Sequence, residues 1–343
     1  MQQMRAVTLS GYLEVANAVG LDGVRMLRQA GISLEALQDP ENRLPAATVV
    51  RLLERSAEES GCENFGLLMA ERRTFASLGP VSLLLERLPN PRAVVRASIV
   101  FQRHLNDVVT IALEDHEDTC LVKLDLWPEY WGRQMIDMLI GISHQVITGA
   151  SGGRWRPDCV HTVHKAPDEL SVWRRLFRAP IEFEDNFNGF SNSIASMLVP
   201  NPLADEAMER NAHHLLRLLP LANGPEPIGD KVRRTITLLL PSGRATVDQV
   251  AAQLGLSARS LQRRLDEEGL QFGELLSGVR QELATAYLAA SSRPVTSVAA
   301  LLGYSSPSSF TRWFASSFGM APQAWRESHR TRRQNGPPPV WRR

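Results

Sequence analysis

A pattern of helix caps, apolar faces and glycine turns occurs twice within residues 246–326, and it restricts this region to short, packed helices. In the first copy Thr246 is placed to cap a helix whose apolar residues follow at helical spacing. Gly255 then ends that helix, and Ser257 is placed to cap a second helix over residues 258–268. Two short helices joined in this way are typical of a helix-turn-helix unit.

The second copy repeats this order with a longer turn. Thr296 is predicted to cap its first helix, Gly303 ends that helix, and Ser306 with Pro307 opens the next one. Corresponding positions of the two second helices lie 49 residues apart, whereas the two turn glycines lie 48 apart, so the second turn is one residue longer. The residues predicted to face outward on the second helices are Arg259, Gln262 and Arg263 in the first copy and Ser308, Thr311 and Arg312 in the second.

These outward side chains have the chemistry that double-stranded DNA requires. Arginine can donate two hydrogen bonds to guanine, and glutamine can pair with adenine through both atoms of its amide. From residue 228 onward the chain has 16 Lys and Arg against 8 Asp and Glu, a net charge of +8, while the preceding residues carry −7. A basic part next to an acidic part favours a DNA-binding module joined to one that does not bind DNA. A solvated surface position is the alternative interpretation for any single outward residue.

The same stretch resembles the DNA-binding domain of the AraC/XylS family of bacterial transcription regulators. Residues 257–265 are similar to the family's first recognition helix, residues 303–314 to its second, and residues 319–326 to its closing segment. The resemblance implies that both recognition helices of one domain enter successive major grooves of DNA. It also implies a cytoplasmic, sequence-specific regulator, and an activator would in addition contact RNA polymerase. Leu265 stands where the family usually has Phe, and Pro307 cannot make a polar side-chain contact.

The preceding residues predict an α+β domain in which helices come first and a small, mainly antiparallel sheet follows. Loose motifs at residues 157–167 and 183–189 resemble the arabinose-binding-type N-terminal domain of one branch of AraC-like regulators, which implies a small-molecule effector. The predicted elements are helices at 9–19, 21–30, 46–60, 80–88, 91–105, 130–148, 170–177, 191–198 and 201–222, and strands at 108–113, 120–126, 159–163 and 179–183.

The predicted fold class is therefore an α+β sensor domain followed by an all-α domain of two tandem helix-turn-helix units. The domain boundaries are the sensor domain 1–220, a Gly- and Pro-containing linker 221–227, the DNA-binding domain 228–328 and a basic, disordered tail 329–343. Apolar positions in the helix at 201–222 recur at spacings of 4 and 3, which suits packing against its own domain or a homodimer seam. Both alternatives stay open from the sequence.

Several other classes of protein and site are not indicated. Three widely spaced cysteines argue against a disulfide framework and fit a reducing cytosol. His161 and His164 would point to opposite faces of a strand, and no Cys or acidic partner is evident at ligand spacing, so we predict no metal and no cofactor. Catalytic motifs, a signal peptide and an apolar run of eighteen residues are all lacking, so we expect neither an enzyme nor a membrane protein.

A group of aromatic and basic residues lies where predicted helices and strands meet, and such mixed surfaces are typical of small-molecule pockets. The residues predicted to contact an effector are His104, Trp127, Trp131, Arg133 and Trp155. Ordinary core or surface positions are the alternative for each of them. The alternative function is a ligand-independent DNA-binding repressor whose N-terminal domain only dimerises.

Overall fold

The computed structural model describes residues 2–73, 75–79, 81–211, 227–290 and 294–335, without the side chains of 76, 103, 104, 289, 290 and 329–335. The chain divides into an N-terminal unit, residues 1–224, and a C-terminal unit, residues 225–343. The predicted linker 221–227 lies outside the described residues except for Pro227. Across the described ranges, every helix is too short or too polar to cross a lipid bilayer.

Helices dominate the first hundred residues of the N-terminal unit, as the sequence predicts, although a short strand precedes them and another lies among them. Its helices are α1 Tyr12–Ala18, α2 Gly23–Gln29, α3 Ala46–Ser60, α4 Phe65–Glu71, α5 Val81–Leu85, α6 Pro91–Val100, α7 Gln102–Leu105, α8 Arg133–Ala150, α9 Ser171–Phe177 and α10 Ile194–Met197. Short 3-10 turns cover Ala6–Leu9, Glu35–Leu37, Phe75–Leu78 and Pro128–Tyr130.

Two sheets complete this unit. Its strands are β1 Gln3–Arg5, β2 Arg43–Pro45, β3 Val109–Asp115, β4 Thr119–Leu126, β5 Cys159–His161, β6 Ile181–Glu182 and β7 Gly189–Ser193. The first two strands pair with each other, and the other five form a sheet in the order β3-β4-β7-β5-β6. Only the β5–β6 pair of that sheet is parallel, so the prediction of a mainly antiparallel sheet after an initial set of helices is confirmed.

The prediction for residues 191–198 is wrong in its first half. A single short helix was expected there, but β7 runs to Ser193 at the centre of the sheet, and only Ile194–Met197 is helical. Ser193 then caps α10, because its side chain accepts a hydrogen bond from the Ser196 N–H. The polar sequence Gly-Phe-Ser-Asn-Ser gives little strand signal of its own, so the strand depends on β4 and β5 beside it.

Helix α8 is held at the centre of the unit by a close approach to α4. The Gly66 N–H donates to Oε1 of Gln134 at 2.8 Å. A Cβ atom at Gly66 would lie 2.0 Å from the backbone oxygen of Gln134, so the contact requires glycine. This packing fixes the helix whose apolar stripe lines the cavity described below.

The helix predicted at 201–222 begins later than expected. Residues 206–211 are helical, whereas Asn201 has its side chain bonded to the carbonyls of Glu86 and Leu88 at 2.8 Å. The remainder of the predicted coiled-coil-like seam, from residue 212, lies outside the described residues.

The C-terminal unit is wholly helical across its described residues. Its helices are α11 Ile228–Leu239, α12 Val247–Gln253, α13 Ala258–Glu267, α14 Phe272–Ala290, α15 Val295–Leu301, α16 Pro307–Phe318 and α17 Pro322–Asn335, with a 3-10 turn at Leu240–Ser242. The prediction that Thr296 caps α15 is wrong, because the helix already begins at Val295 after Pro294, which offers no side-chain cap.

The tail 329–343, which the sequence predicts to be disordered, is helical as far as Asn335. Helix α17 continues to Asn335, because residues 330–335 contain good helix formers and no breaker before Gly336. Residues 336–343 lie outside the described part of the chain.

Candidate functional site

Helix α13 presents the first predicted recognition surface. Ser257 precedes it, and its Oγ atom accepts a hydrogen bond from the Ser260 N–H at 3.2 Å. Leu261 and Leu265 are buried and fix which face of the helix meets the core. The opposite face is exposed to solvent and carries Arg259, Gln262 and Arg263.

Helix α16 repeats this geometry 49 residues later. Ser306 accepts a hydrogen bond from the Ser309 N–H at 3.2 Å, and Pro307 is the first helical residue. Phe310 and Phe314 are fully buried where the first copy has leucines. The outward residues are Ser308 and Arg312, which are exposed, and Thr311, which is half-buried.

The three arginines on these faces are available for a partner. Arg263 lies 3.8 Å from Oε1 of Glu267, but the two side chains are 72% and 66% exposed, so this ion pair is weak. Arg259 and Arg312 form no ion pair with any described residue. Three guanidinium groups therefore stand in solvent on two equivalent helix faces, which is how DNA-reading side chains are presented.

An aromatic cluster supports the second unit. Tyr304 and Phe310 have ring centroids 5.6 Å apart, and Phe314 stacks on Phe318 at 4.3 Å. Arg280 of α14 lies over the Tyr304 ring at 4.7 Å and donates to the Leu302 carbonyl at 3.2 Å. Burial raises the pKa of Tyr304 to about 12, so its hydroxyl stays neutral. These contacts tie the second turn to the long connecting helix.

The N-terminal unit contains a cavity of about 110 Å³ beside α8. The apolar stripe that the sequence predicts on this helix lines it, namely Met135, Met138, Leu139, Ile142 and Val146. Strands β3 and β4 close the other side with Ile111, Val122 and Leu124. The walls are thus mostly aliphatic and thioether groups.

Two arginines that sequence reasoning missed also line this cavity. Arg5 is buried and pairs with Oε1 of Glu41 at 2.7 Å. Arg73 is half-buried and donates from Nη1 to the Val7 carbonyl, while its Nε atom is shielded from solvent without a hydrogen-bond partner among the described residues. Neither arginine has a sequence signal, since both look like ordinary surface charges.

The residues predicted to contact an effector do not come together at this cavity. Trp127 is buried and Trp131 half-buried, and neither lines it. Arg133 instead pairs with Glu63 at 3.2 Å, and Trp155 lines a separate, more open groove. The side chain of His104 lies outside the described residues, and effector contact by these five residues stays a prediction.

The expectation that His161 and His164 lack acidic or Cys partners is wrong. Nδ1 of His161 lies 2.5 Å from Asp185, and Nε2 of His164 lies 2.6 Å from buried Asp137. Ligand-type atoms of Cys159, His161 and Glu182 lie within 4.8 Å of one another, because β5 and β6 pair in register there. The prediction of no metal stays a prediction.

Comparison with known proteins agrees with both halves of this architecture. Residues 20–200 match the family described as the arabinose-binding domain of AraC transcription regulators, and residues 250–328 match a helix-turn-helix domain. HTH-type transcriptional regulator VirS of Mycobacterium tuberculosis is 26% identical over 94% of this chain and 96% of its own length. The Ornithine utilization regulator of Pseudomonas aeruginosa is 33% identical over 47% of this chain and 48% of its own. Transcriptional activator NphR of a Rhodococcus species is 31% identical over 29% of this chain and 30% of its own.

Two capped recognition helices with exposed arginines, joined to an α+β domain, define a DNA-binding transcription regulator. The chain belongs to the AraC family of transcription regulators, in the branch that carries the arabinose-binding-type N-terminal domain.

Proposed function

We propose that this protein is a cytoplasmic, ligand-responsive transcription activator whose two recognition helices enter successive major grooves on one face of the duplex. The observation that carries the proposal is the equivalence of α13 and α16. Each begins after a capping serine, each is anchored by two buried residues, and Arg263 and Arg312 occupy the same outward position. One DNA-binding surface is therefore present twice.

The connection between the two helix-turn-helix units supports reading of successive grooves. Helix α14 has 19 residues, which corresponds to about 28 Å of helical rise. Major grooves on one face of DNA recur every ~34 Å, or ~10.5 base pairs. A rigid connector of this length favours two contacts about one helical turn apart.

The specific contacts are proposals for each residue. Arg259 and Arg263 suit guanine edges or phosphates, and Gln262 suits adenine. Ser308 and Thr311 carry hydroxyl groups that suit either base edges or backbone, and Arg312 suits guanine. The residues of α13 thus offer more forked contacts than those of α16.

Ligand response is supported by the cavity of the N-terminal unit. Core helices and strands line it, and cationic groups lie at one part of its wall, which is the usual composition of a small-molecule site. The activator role is supported by the name of the relative NphR and implies contact with RNA polymerase. A homodimer remains an open part of this proposal.

Footprinting of the purified protein on its own upstream region, with and without candidate effectors, tests the proposal. We expect one protein to protect about two helical turns of DNA, with a pattern that changes when the effector binds. Protection of one short half-site per protein would contradict the two-groove arrangement. An unchanged footprint and unchanged transcription with every effector would instead favour the ligand-independent repressor.

A further inference from the structure

The shape and chemistry of the cavity beside α8 restrict what it can hold. Its volume is about 110 Å³, and its walls include Ile111, Val122, Leu124 and Met138. An apolar cavity of about 150 Å³ accommodates benzene, so this one suits an apolar group of about four to six carbons. Met135 and Met138 are unbranched and can adapt the walls to a slightly larger group.

The same walls argue against a sugar, although the matched family is described as arabinose-binding. A pentose has hydroxyl groups around its whole ring, and each of them loses its bonds to water on entry. Aliphatic groups such as Ile111, Val122 and Leu124 outnumber the polar groups of the lining, so several of those hydroxyls would lack a partner, which is costly. The polar groups besides the arginines are Thr8, Ser77, Ser98, Asn106 and Ser143. The lining therefore fits a largely apolar ligand better than it fits arabinose.

One part of the wall carries an excess of positive charge. Arg5 and Arg73 both line the cavity, and Glu41 forms an ion pair with Arg5. Arg73 forms no ion pair with a described residue; a backbone carbonyl is its acceptor, and its Nε atom is shielded without a partner among those residues. Burial, together with the charge of Arg5, lowers the pKa of Arg73 to about 10. A guanidinium in such surroundings gains most from an anion that can accept two hydrogen bonds.

We infer that the cavity binds a small apolar monocarboxylate, whose alkyl part lies against the α8 stripe and whose carboxylate is held by Arg73. The inference rests on the proposed ligand response and names the class of effector. Arg73 supplies the two donors that a carboxylate accepts, and the aliphatic walls supply the contact surface for the rest of the molecule. Dicarboxylates and polar amino acids of comparable size fit less well, because most of the wall that would meet a second polar group consists of aliphatic and thioether side chains such as Leu124 and Met138.

The test is a binding series on the full-length protein by calorimetry and thermal shift. The probes are isobutyrate, isovalerate, hexanoate and octanoate as sodium salts at matched sodium concentration, with isovaleramide and arabinose for comparison. We expect the best-fitting short acid to raise Tm, and isovaleramide and arabinose to leave it unchanged. Binding of isovaleramide as tight as that of isovalerate would overturn the role of Arg73, and stabilisation by arabinose alone would overturn the ligand class.

Three variants locate the site. Arg73→Met keeps the length of the side chain and removes its charge, and it should weaken isovalerate binding at least about tenfold. Arg72→Met is the matched control, because Arg72 is the adjacent, exposed arginine that does not line the cavity, and it should bind isovalerate like the wild type. Leu139→Phe adds volume to the wall and should abolish binding while the protein stays folded. Equal binding by all three variants would place the acid elsewhere and refute the inference.

A footprint recorded with and without isovalerate separates this inference from the proposed function. A footprint of two helical turns in a protein that binds none of the acids refutes the inference and leaves the DNA-binding function intact. Acid binding that depends on Arg73 but changes neither footprint nor transcription supports the site and contradicts ligand response.

Discussion

Charged and polar groups occupy opposite places in the two units. The N-terminal unit buries Asp137, His144 and His164 together with Arg5. Among the described residues of the C-terminal unit, the buried charged residues are only Arg234 and Arg326, and Arg259, Arg263 and Arg312 stand in solvent. Burial of a charge is costly unless it finds partners, so the two cores are stabilised in different ways.

This difference determines which partner, DNA or a small ligand, each unit can respond to. The core of the C-terminal unit consists mainly of leucine, valine and phenylalanine, and it contains few charges that a ligand could change. The polar side chains of this unit lie mostly at the surface, where DNA can contact them. A core that contains paired carboxylates, histidines and guanidinium groups holds charges whose pairing a small anion or a proton can change.

The pair between His164 and Asp137 should be the most sensitive point of the N-terminal unit. His164→Ala leaves Asp137, which has no exposed side-chain surface, without its 2.6 Å hydrogen bond. We expect a loss near the lower end of about 3–5 kcal/mol in the free energy of unfolding, because the buried carboxylate then keeps only its 3.8 Å contact with Nε of Arg133. Urea denaturation of the full chain measures this loss.

Arg175→Ala is the matched control for that measurement. Arg175 makes two hydrogen bonds to Glu71, at 2.9 and 2.8 Å, but its side chain is 55% exposed. Its removal should cost about 0–1 kcal/mol, because water can replace the lost contacts. Similar losses for the two variants would show that burial does not decide the strength of these pairs.

His144 should make the N-terminal unit sensitive to acid. It lies against Trp155 and Phe177, and burial, with a lesser contribution from Arg156, lowers its pKa to about 4. An unfolded histidine titrates near 6.5, so between these values the unfolded chain binds the extra proton. The stability due to the neutral ring is complete above about pH 6.5 and is lost as the pH falls towards 4, in total about 3 kcal/mol.

The measurement is the difference in unfolding free energy between wild type and His144→Phe across pH 4–7. A difference is needed because burial raises the pKa of both Glu54 and Asp125 to about 7, which acts in the opposite direction over the same range. The phenylalanine variant should gain stability relative to wild type as the pH falls. A difference that stays constant with pH would mean that the ring is not held neutral by burial.

The sequence predicted the C-terminal unit better than the N-terminal unit, for physical reasons. The caps Ser257 and Ser306 and the buried positions 261, 265, 310 and 314 depend on spacing within one helix, so a single sequence contains the required information. Even there, the sequence predicts Thr296 as a cap because threonine is a common cap, while the helix already begins at Val295, after Pro294.

Features that depend on distant residues were missed. The β7 strand owes its place to pairing with β4 and β5, and the neighbours of His161 come from β6 and the residues after it. The apolar stripe of α8 was predicted correctly, but Arg5 and Arg73, which meet it from far along the chain, have no local pattern. The pairing of β7 and the burial of Arg5 and Arg73 were thus beyond reasoning from one sequence.

The arginines of the C-terminal unit should divide into two classes in their effect on DNA binding. We expect Arg263→Ala or Arg312→Ala to cost about 1–3 kcal/mol at the specific site and little on scrambled DNA, because base edges carry the sequence information. Arg332→Ala and Arg333→Ala, in the basic end of α17, should weaken both duplexes alike and lower the salt dependence. The affinity of each variant for the specific and the scrambled duplex is measured over a salt series. If Arg263→Ala lost equal affinity for both duplexes, Arg263 would contact only the DNA backbone.

The smallest effect should separate the two recognition helices from each other. Ser257 and Ser306 each accept one backbone hydrogen bond at 3.2 Å, so each serine-to-alanine change leaves one N–H of the first turn without its cap. Helix α16 begins with Pro307, which has no N–H to satisfy and already fixes its φ angle, whereas α13 begins with Ala258. We therefore expect Ser257→Ala to cost about 1 kcal/mol of stability and Ser306→Ala less, about 0.5 kcal/mol. Thermal unfolding of both variants measures which substitution costs more stability, with Ser257→Gly and Ser306→Gly as controls. A larger loss for Ser306→Ala would show that Pro307 does not compensate for part of the lost cap.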